Sequence, residues 1–131
     1  MLSDPIADMF VRIKNAQYAR LDSVVVPHSR VKQDIAKILE ARRFIAEIAR
    51  RGKKNKRGLE LKLVYEPSGA GRIRDLKRIS KPSRRVYKGY KELHPSARGN
   101  GLYIISTPAG ILDDKKAREM KVGGEVLGEI Y

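Results

Sequence analysis

Apolar residues recur at helical spacing near the amino end, where Ile6, Met9, Phe10 and Ile13 share one face and Asp8, Arg12 and Asn15 fall on others. Asp4-Pro5 ahead of them supplies an N-cap and a proline at the first helical position, which predicts a helix start. Val24-Val25-Val26 before Pro27 predicts a short strand. Ser29 can cap a second helix whose apolar stripe is Val31, Ile35, Ile38 and Leu39, ending near Arg42-Arg43. Two strands come next. Phe44 to Arg50 alternates loosely, with Phe44, Ala46 and Ile48 on one face, whereas Leu59, Leu61, Leu63 and Tyr65 alternate cleanly with Glu60 and Lys62. Helix, strand, helix, strand, strand is an α+β unit.

Glu66-Pro67-Ser68-Gly69-Ala70-Gly71 breaks the pattern and predicts a linker at 67–71 between domains at 1–66 and 72–131. Beyond it the periodicity is harder to read. Ile73, Leu76 and Ile79 sit three apart, which leaves 72–80 undecided between strand and helix. Residues 80–91 read as a basic loop, Arg98-Gly99-Asn100-Gly101 as a tight turn, and Leu102 to Ile105 as a buried strand ending at Ser106. Asp113 or Asp114 caps a short helix through Met120, and Glu125 to Tyr131 reads as a last strand. The fold class is therefore α+β in two small domains, the second mainly β with one short helix.

Charge changes the picture most. Twenty-nine Lys and Arg against fifteen Asp and Glu leave a net +14, a self-repelling surface unless a polyanion neutralises it. The excess is +7 on each side of Glu66, so the whole fold is cationic, which points to nucleic acid before it points to a membrane. With no cysteine, disulfides and thiolate metal sites are excluded, as suits a reducing compartment. The first residues show neither the basic nor the apolar segment of a signal peptide, and no apolar run is long enough to span a bilayer. No nucleotide-binding loop or zinc spacing is present.

Four stretches can carry chemistry. Arg50, Arg51, Lys53, Lys54, Lys56 and Arg57 crowd a hairpin tip with no intervening acid, a phosphate-contacting surface or a solvated loop. A second cationic track includes Lys81, Arg84, Arg85 and Lys88, interleaved with Tyr87 and Tyr90, whose rings can stack on splayed bases or serve as rim residues of the core. Ser106-Thr107-Pro108-Ala109-Gly110 offers small hydroxyls on a fixed turn that can approach ribose or phosphate closely, or can simply cap the next segment. Gly123-Gly124-Glu125 admits close backbone approach and a carboxylate acceptor for base amino groups, or an ordinary pairing of Glu125 with an arginine. A hydrolase reading of Ser106 needs a base, and His28 and His94 stand in no nucleophile motif. Asp113-Asp114 reads as helix capping rather than as metal ligands. Catalytic residues, metals and cofactors are not expected.

Four blocks carry a family resemblance: Ser3 to Met9 with Arg12-Ile13 and Asn15-Ala16, Ile79 to Tyr87, Ser106-Thr107-Pro108 with Gly110, and Asp114, Ala117-Arg118 leading to Val122 through Leu127. On these the chain resembles the small-subunit ribosomal protein family numbered eight, in its bacterial or organellar form, over essentially its whole length. The resemblance implies a non-enzymatic protein of the small ribosomal subunit that binds the central domain of its rRNA directly and helps assembly. Its implied RNA contacts are Ser106, Thr107, Pro108 and Gly110, with Tyr87, Gly123, Gly124 and Glu125 nearby and Lys81, Arg84 and Arg85 in the basic loop. In the amino domain they are Arg12 and Asn15 of the first helix and Lys53, Lys54 and Lys56 of the hairpin. Implied partners also include neighbouring small-subunit proteins, ribosomal protein five among them, and in some members the protein's own messenger RNA. The implied place is the cytoplasm or an organelle matrix. Gly101-Leu102-Tyr103 departs from the family's frequent Gly-x-Gly, and Asp113 stands where a hydroxyl residue is usual.

Overall fold

A computed structural model describes residues 3–53 and 56–131. The chain divides into two compact units, Asp8–Arg74 and a second that joins Asp75–Tyr131 to the residues up to Ala7. The architecture is α+β, as the sequence pattern predicts.

The first unit contains most of α1 (Pro5–Tyr18), then β1 (Ser23–Pro27), α2 (Arg30–Ala41), β2 (Ile45–Arg51) and β3 (Gly58–Leu63). Its sheet is antiparallel in the order β1-β3-β2. Both predicted helix caps form. Asp4 accepts the Ala7 N–H at 3.1 Å and Ser29 accepts the Lys32 N–H at 3.2 Å, each satisfying one of the donors that a first turn leaves unpaired. Leu59, Leu61 and Leu63 of β3 are buried with Ile35, Ala36 and Leu39 of α2.

Two side-chain assignments are corrected. Val31 is exposed and Lys32 buried, because the α2 stripe is rotated by one residue and the Lys32 ammonium donates to the Pro27 carbonyl at 3.3 Å. Ala46 is exposed while Ile45 is buried, because a bulge between Ile45 and Glu47 shifts the alternation of β2. The segment 67–71 is a closed turn, with Glu66 N–H donating to Ala70 and Tyr65 bridged to Gly71; the division between units falls after Arg74.

The second unit is built on β8 (Gly124–Ile130), flanked on one side by β6 (Leu102–Thr107) and then β7 (Gly110–Asp113). On the other side β4 (Leu76–Arg78) and β5 (Tyr87–Lys88) pair with opposite ends of β8. Thus 80–91 is not simply a loop: it holds β5 and a 3₁₀ turn at Tyr90–Glu92. The Ser106–Gly110 stretch is likewise a hairpin, whose returning strand β7 the pattern does not predict. A helix, α3 (Asp114–Met120), packs on β6, and Ala117 joins Leu93, Ile105 and Val126 in one core. No helix among the described residues is long and apolar enough to cross a membrane.

The paired aspartates divide their work. Asp113 is the cap, accepting the Lys116 N–H at 2.7 Å. Asp114 is buried, and it accepts the Tyr103 N–H at 2.9 Å and the Arg118 guanidinium at 2.7 Å. Tyr103 is itself committed to packing: its ring meets His94 edge-on at 5.8 Å. Burial, and then the neighbouring Glu129 carboxylate, push its phenol above the usual tyrosine range.

These roles predict unequal costs. Asp113→Ala removes a cap worth about 1 kcal/mol. Asp114→Ala strands a strand N–H and a guanidinium, and is expected to cost about 3 kcal/mol. Urea denaturation of both variants measures the difference, and equal midpoints would refute the division of roles.

Candidate nucleic-acid interface

Three segments distant in sequence meet at the start of β8. Glu125 stands opposite Tyr87 in β5 and opposite Ser106 in β6, and Gly124 stands opposite Lys88. Directly opposed residues of antiparallel strands project to the same face. Tyr87, Glu125 and Ser106 therefore form a cross-strand row, on the face opposite Ile105 and Val126. Tyr87 is 68% exposed, whereas Tyr90 packs against the Leu93–Ile105 core. Of the two interleaved tyrosines, only Tyr87 is presented for stacking.

Close approach of the strands makes the row. A Cβ at Gly124 would lie 1.9 Å from the Ser106 carbonyl oxygen, and one at Gly123 would lie 2.3 Å from the Lys88 carbonyl oxygen. Any side chain at either position pushes β6 or β5 away.

The β6–β7 turn is held by Thr107. Its hydroxyl donates to the Gly110 carbonyl at 2.8 Å and accepts the Ala109 N–H at 3.0 Å. Gly110 has φ +117, a conformation that side chains resist. Pro108, Ala109 and Gly110 are exposed on this rigid tip. The neighbouring Ser106 hydroxyl has no hydrogen-bond partner among the described residues and is available to a ligand.

Glu125 is not a free acceptor on both oxygens. Its Oε2 accepts from the Ser80 hydroxyl and from Arg85 Nη1, the latter at 3.0 Å. The pairing with an arginine is therefore present, and Arg85 is partly committed within the chain. Lys81 and Arg84 close a turn by reciprocal backbone hydrogen bonds of 2.9 Å, leaving both side chains exposed. Sequence reasoning passed over Ser80. The only signal was a small hydroxyl residue after Ile79, at the entrance of the basic loop.

In the first unit, Arg12, Lys56 and Arg57 line one open groove of about 650 Å³ with His28, Val25 and Pro27. The fold thus brings a helix cation and hairpin cations together, although 44 residues separate Arg12 from Lys56. Arg12 is also paired with Asp8 at 2.8 Å. Asn15 is exposed one turn further along α1, outside the groove lining. Lys53 is exposed on the hairpin and Lys54 lies outside the described residues. Arg51 is turned back onto Glu60 at 2.6 Å, and this hydrogen-bonded guanidinium holds the Glu60 carboxyl below its usual range. Arg57, one of the hairpin-tip cations, joins this lining, and so does His28, which did not stand among the predicted contacts.

Known proteins resemble this chain over nearly its whole length. A family model described as Ribosomal protein S8 matches residues 4–131. A protein of Rubrobacter xylanophilus is 42% identical, with 99% of this chain and 98% of that protein covered. One from Thermus aquaticus is 44% identical with both chains fully covered, and one from Dechloromonas aromatica is 46% identical over 96% of this chain and 95% of its own. Each of the three bears the name small ribosomal subunit protein uS8.

The close strand approach gives a direct test. Gly124→Ala forces a methyl group onto a backbone oxygen, and such overpacking is expected to cost about 3 kcal/mol. Thermal unfolding should show a large drop in midpoint, against a small one for Gly89→Ala, where the backbone is extended and a Cβ would meet only the Glu92 carboxylate at 3.6 Å. A Gly124→Ala protein as stable as wild type would contradict the packing described for the row.

Proposed function

The chain belongs to the ribosomal protein S8 family, and on that premise we propose that it binds the central domain of small-subunit rRNA directly and early in subunit assembly. Its work in the small ribosomal subunit is structural rather than enzymatic. The observation that supports this reading best is the row Tyr87–Glu125–Ser106 beside the rigid Thr107–Gly110 tip. It offers a stacking ring, a carboxylate acceptor and a hydroxyl within three adjacent strands. Those are the groups needed to read splayed bases and 2′-hydroxyls of folded RNA.

Affinity and recognition separate in this arrangement. Exposed Lys81 and Arg84 in one unit, and Lys53, Lys54, Lys56 and Arg12 in the other, neutralise phosphates without regard to sequence. The Ser106–Gly110 tip carries recognition: Thr107 holds its shape and Ser106 makes the contact. Gly123 and Gly124 serve by letting the strands close, and Asn15 adds a polar contact on α1. Neighbouring small-subunit proteins, ribosomal protein five among them, complete the set of partners. The protein's own messenger RNA is a target where it reproduces the same RNA shape. The cytoplasm, or the matrix of an organelle with its own ribosomes, is the setting.

Binding to naked small-subunit rRNA, in competition with random RNA and with duplex DNA, tests the proposal. Ser106→Ala with Thr107→Val should weaken the rRNA complex by roughly tenfold or more while leaving random RNA nearly unchanged. Thr107→Ser keeps the turn's hydrogen bonds and should bind as wild type does. Replacing Lys53, Lys54 and Lys56 by Gln should weaken both RNAs alike and lower the salt slope by about 2 to 3. An rRNA affinity untouched by the hydroxyl variant, or duplex DNA competing equally well, would overturn the reading.

A further inference from the structure

Ser80 is fully buried, yet it carries a hydroxyl and stands between two functional segments. Its Oγ accepts the Val86 N–H at 3.1 Å, closing the basic loop of Lys81, Arg84 and Arg85 behind it. The same hydroxyl donates its proton to Oε2 of Glu125. Its own N–H donates to the Val126 carbonyl at 3.1 Å, which locks its backbone to β8 one residue beyond that glutamate. Arg85, at the far end of the loop, donates to the same Oε2. Both donors thus converge on one carboxylate oxygen, and no donor among the described residues reaches Oε1.

We propose that Ser80 is the positioning residue of the recognition row, fixing the Glu125 carboxylate so that Oε1 is the acceptor presented to RNA between Tyr87 and Ser106. A glutamate has three side-chain torsions, and holding it in one geometry before binding removes the ordering cost at the moment of contact. Two donors on Oε2 and none on Oε1 do this while leaving one oxygen to accept from a base amino group or a ribose hydroxyl. Because Ser80 also closes the loop, the direction of the carboxylate and the placement of Lys81 and Arg84 are set by one buried side chain. This role rests on the RNA-binding reading of the row.

A double-mutant cycle separates positioning from general stability. Ser80→Ala should weaken the naked small-subunit rRNA complex by about tenfold, with little effect on random RNA and no change in salt slope. Glu125→Ala should cause a similar loss. In the Glu125→Ala background, Ser80→Ala should then add almost nothing to the binding loss, although it still lowers the unfolding midpoint. Where Ser80→Ala does not fold, Ser80→Cys, close in shape but a much weaker donor, is read by the same criteria. Losses that add in full would make Ser80 merely structural and overturn the proposal. So would a Ser80 variant that binds as wild type does while Glu125→Ala is impaired. If Glu125→Ala is silent while Ser106→Ala with Thr107→Val is impaired, this inference alone falls. If both are silent, the recognition reading falls with it.

Discussion

The candidate surface depends on the absence of two side chains. At the start of β8 the backbone lies so close to its neighbours that a Cβ at Gly124 would meet the Ser106 carbonyl oxygen at 1.9 Å, well inside any tolerable contact. Glycine there costs conformational entropy in the unfolded chain, about 0.5 to 1 kcal/mol relative to alanine. The gain is that β5, β8 and β6 close up, and Tyr87, Glu125 and Ser106 fall side by side. Without that contact the residues would remain on their strands but would no longer form one row. The glycines therefore act on the row through distance, by letting the strands close.

Hydroxyl groups then take different work according to burial. Thr107 satisfies both its donor and its acceptor inside the turn, and Ser80 does the same between the loop and Glu125. A hydroxyl so engaged has little left for a ligand, and its value lies in rigidity. Ser106, which has no such partner among the described residues, is the one of the three able to make a new bond without first breaking an old one. The Ser-Thr pair thus joins an unengaged hydroxyl to a structural one, although adjacency in sequence suggests two equal groups.

Elements with strong local physics were legible from sequence, and those set by pairing were not. The Asp4 and Ser29 caps, the alternation of Leu59, Leu61 and Leu63, and the turn at Arg98–Gly101 are decided within a few residues, and each forms as the pattern indicates. The strand Tyr87–Lys88 has two residues and Gly110–Asp113 has four. Neither is long enough to show a period, and both exist because β8 and β6 offer them partners. The bulge after Ile45 likewise reflects the register with β3, which placed Ala46 outside and defeated simple alternation. At the interface, the residue types were legible but their commitments were not. That Arg85 and Ser80 share one oxygen of Glu125 depends on a fold-back of 40 and 45 residues, which no local pattern encodes.

Those commitments decide how the net charge of +14 can act. Several arginines are already paired: Arg12 with Asp8, Arg51 with Glu60, Arg85 with Glu125. Exposed pairs of this kind contribute only about 0 to 1 kcal/mol each, because water screens them and ordering two long side chains costs entropy. A phosphate offers a guanidinium a charge-assisted, bidentate partner and releases counterions as it binds. The second effect is the larger, so Arg12 can exchange a carboxylate for a phosphate at small cost. Arg85 differs, because its carboxylate is also held by the buried Ser80. Leaving it would disturb a network in place of a lone surface pair. The cations of the amino unit are thus suited to yield to whatever backbone arrives, and the Glu125 cluster is suited to stay as it is.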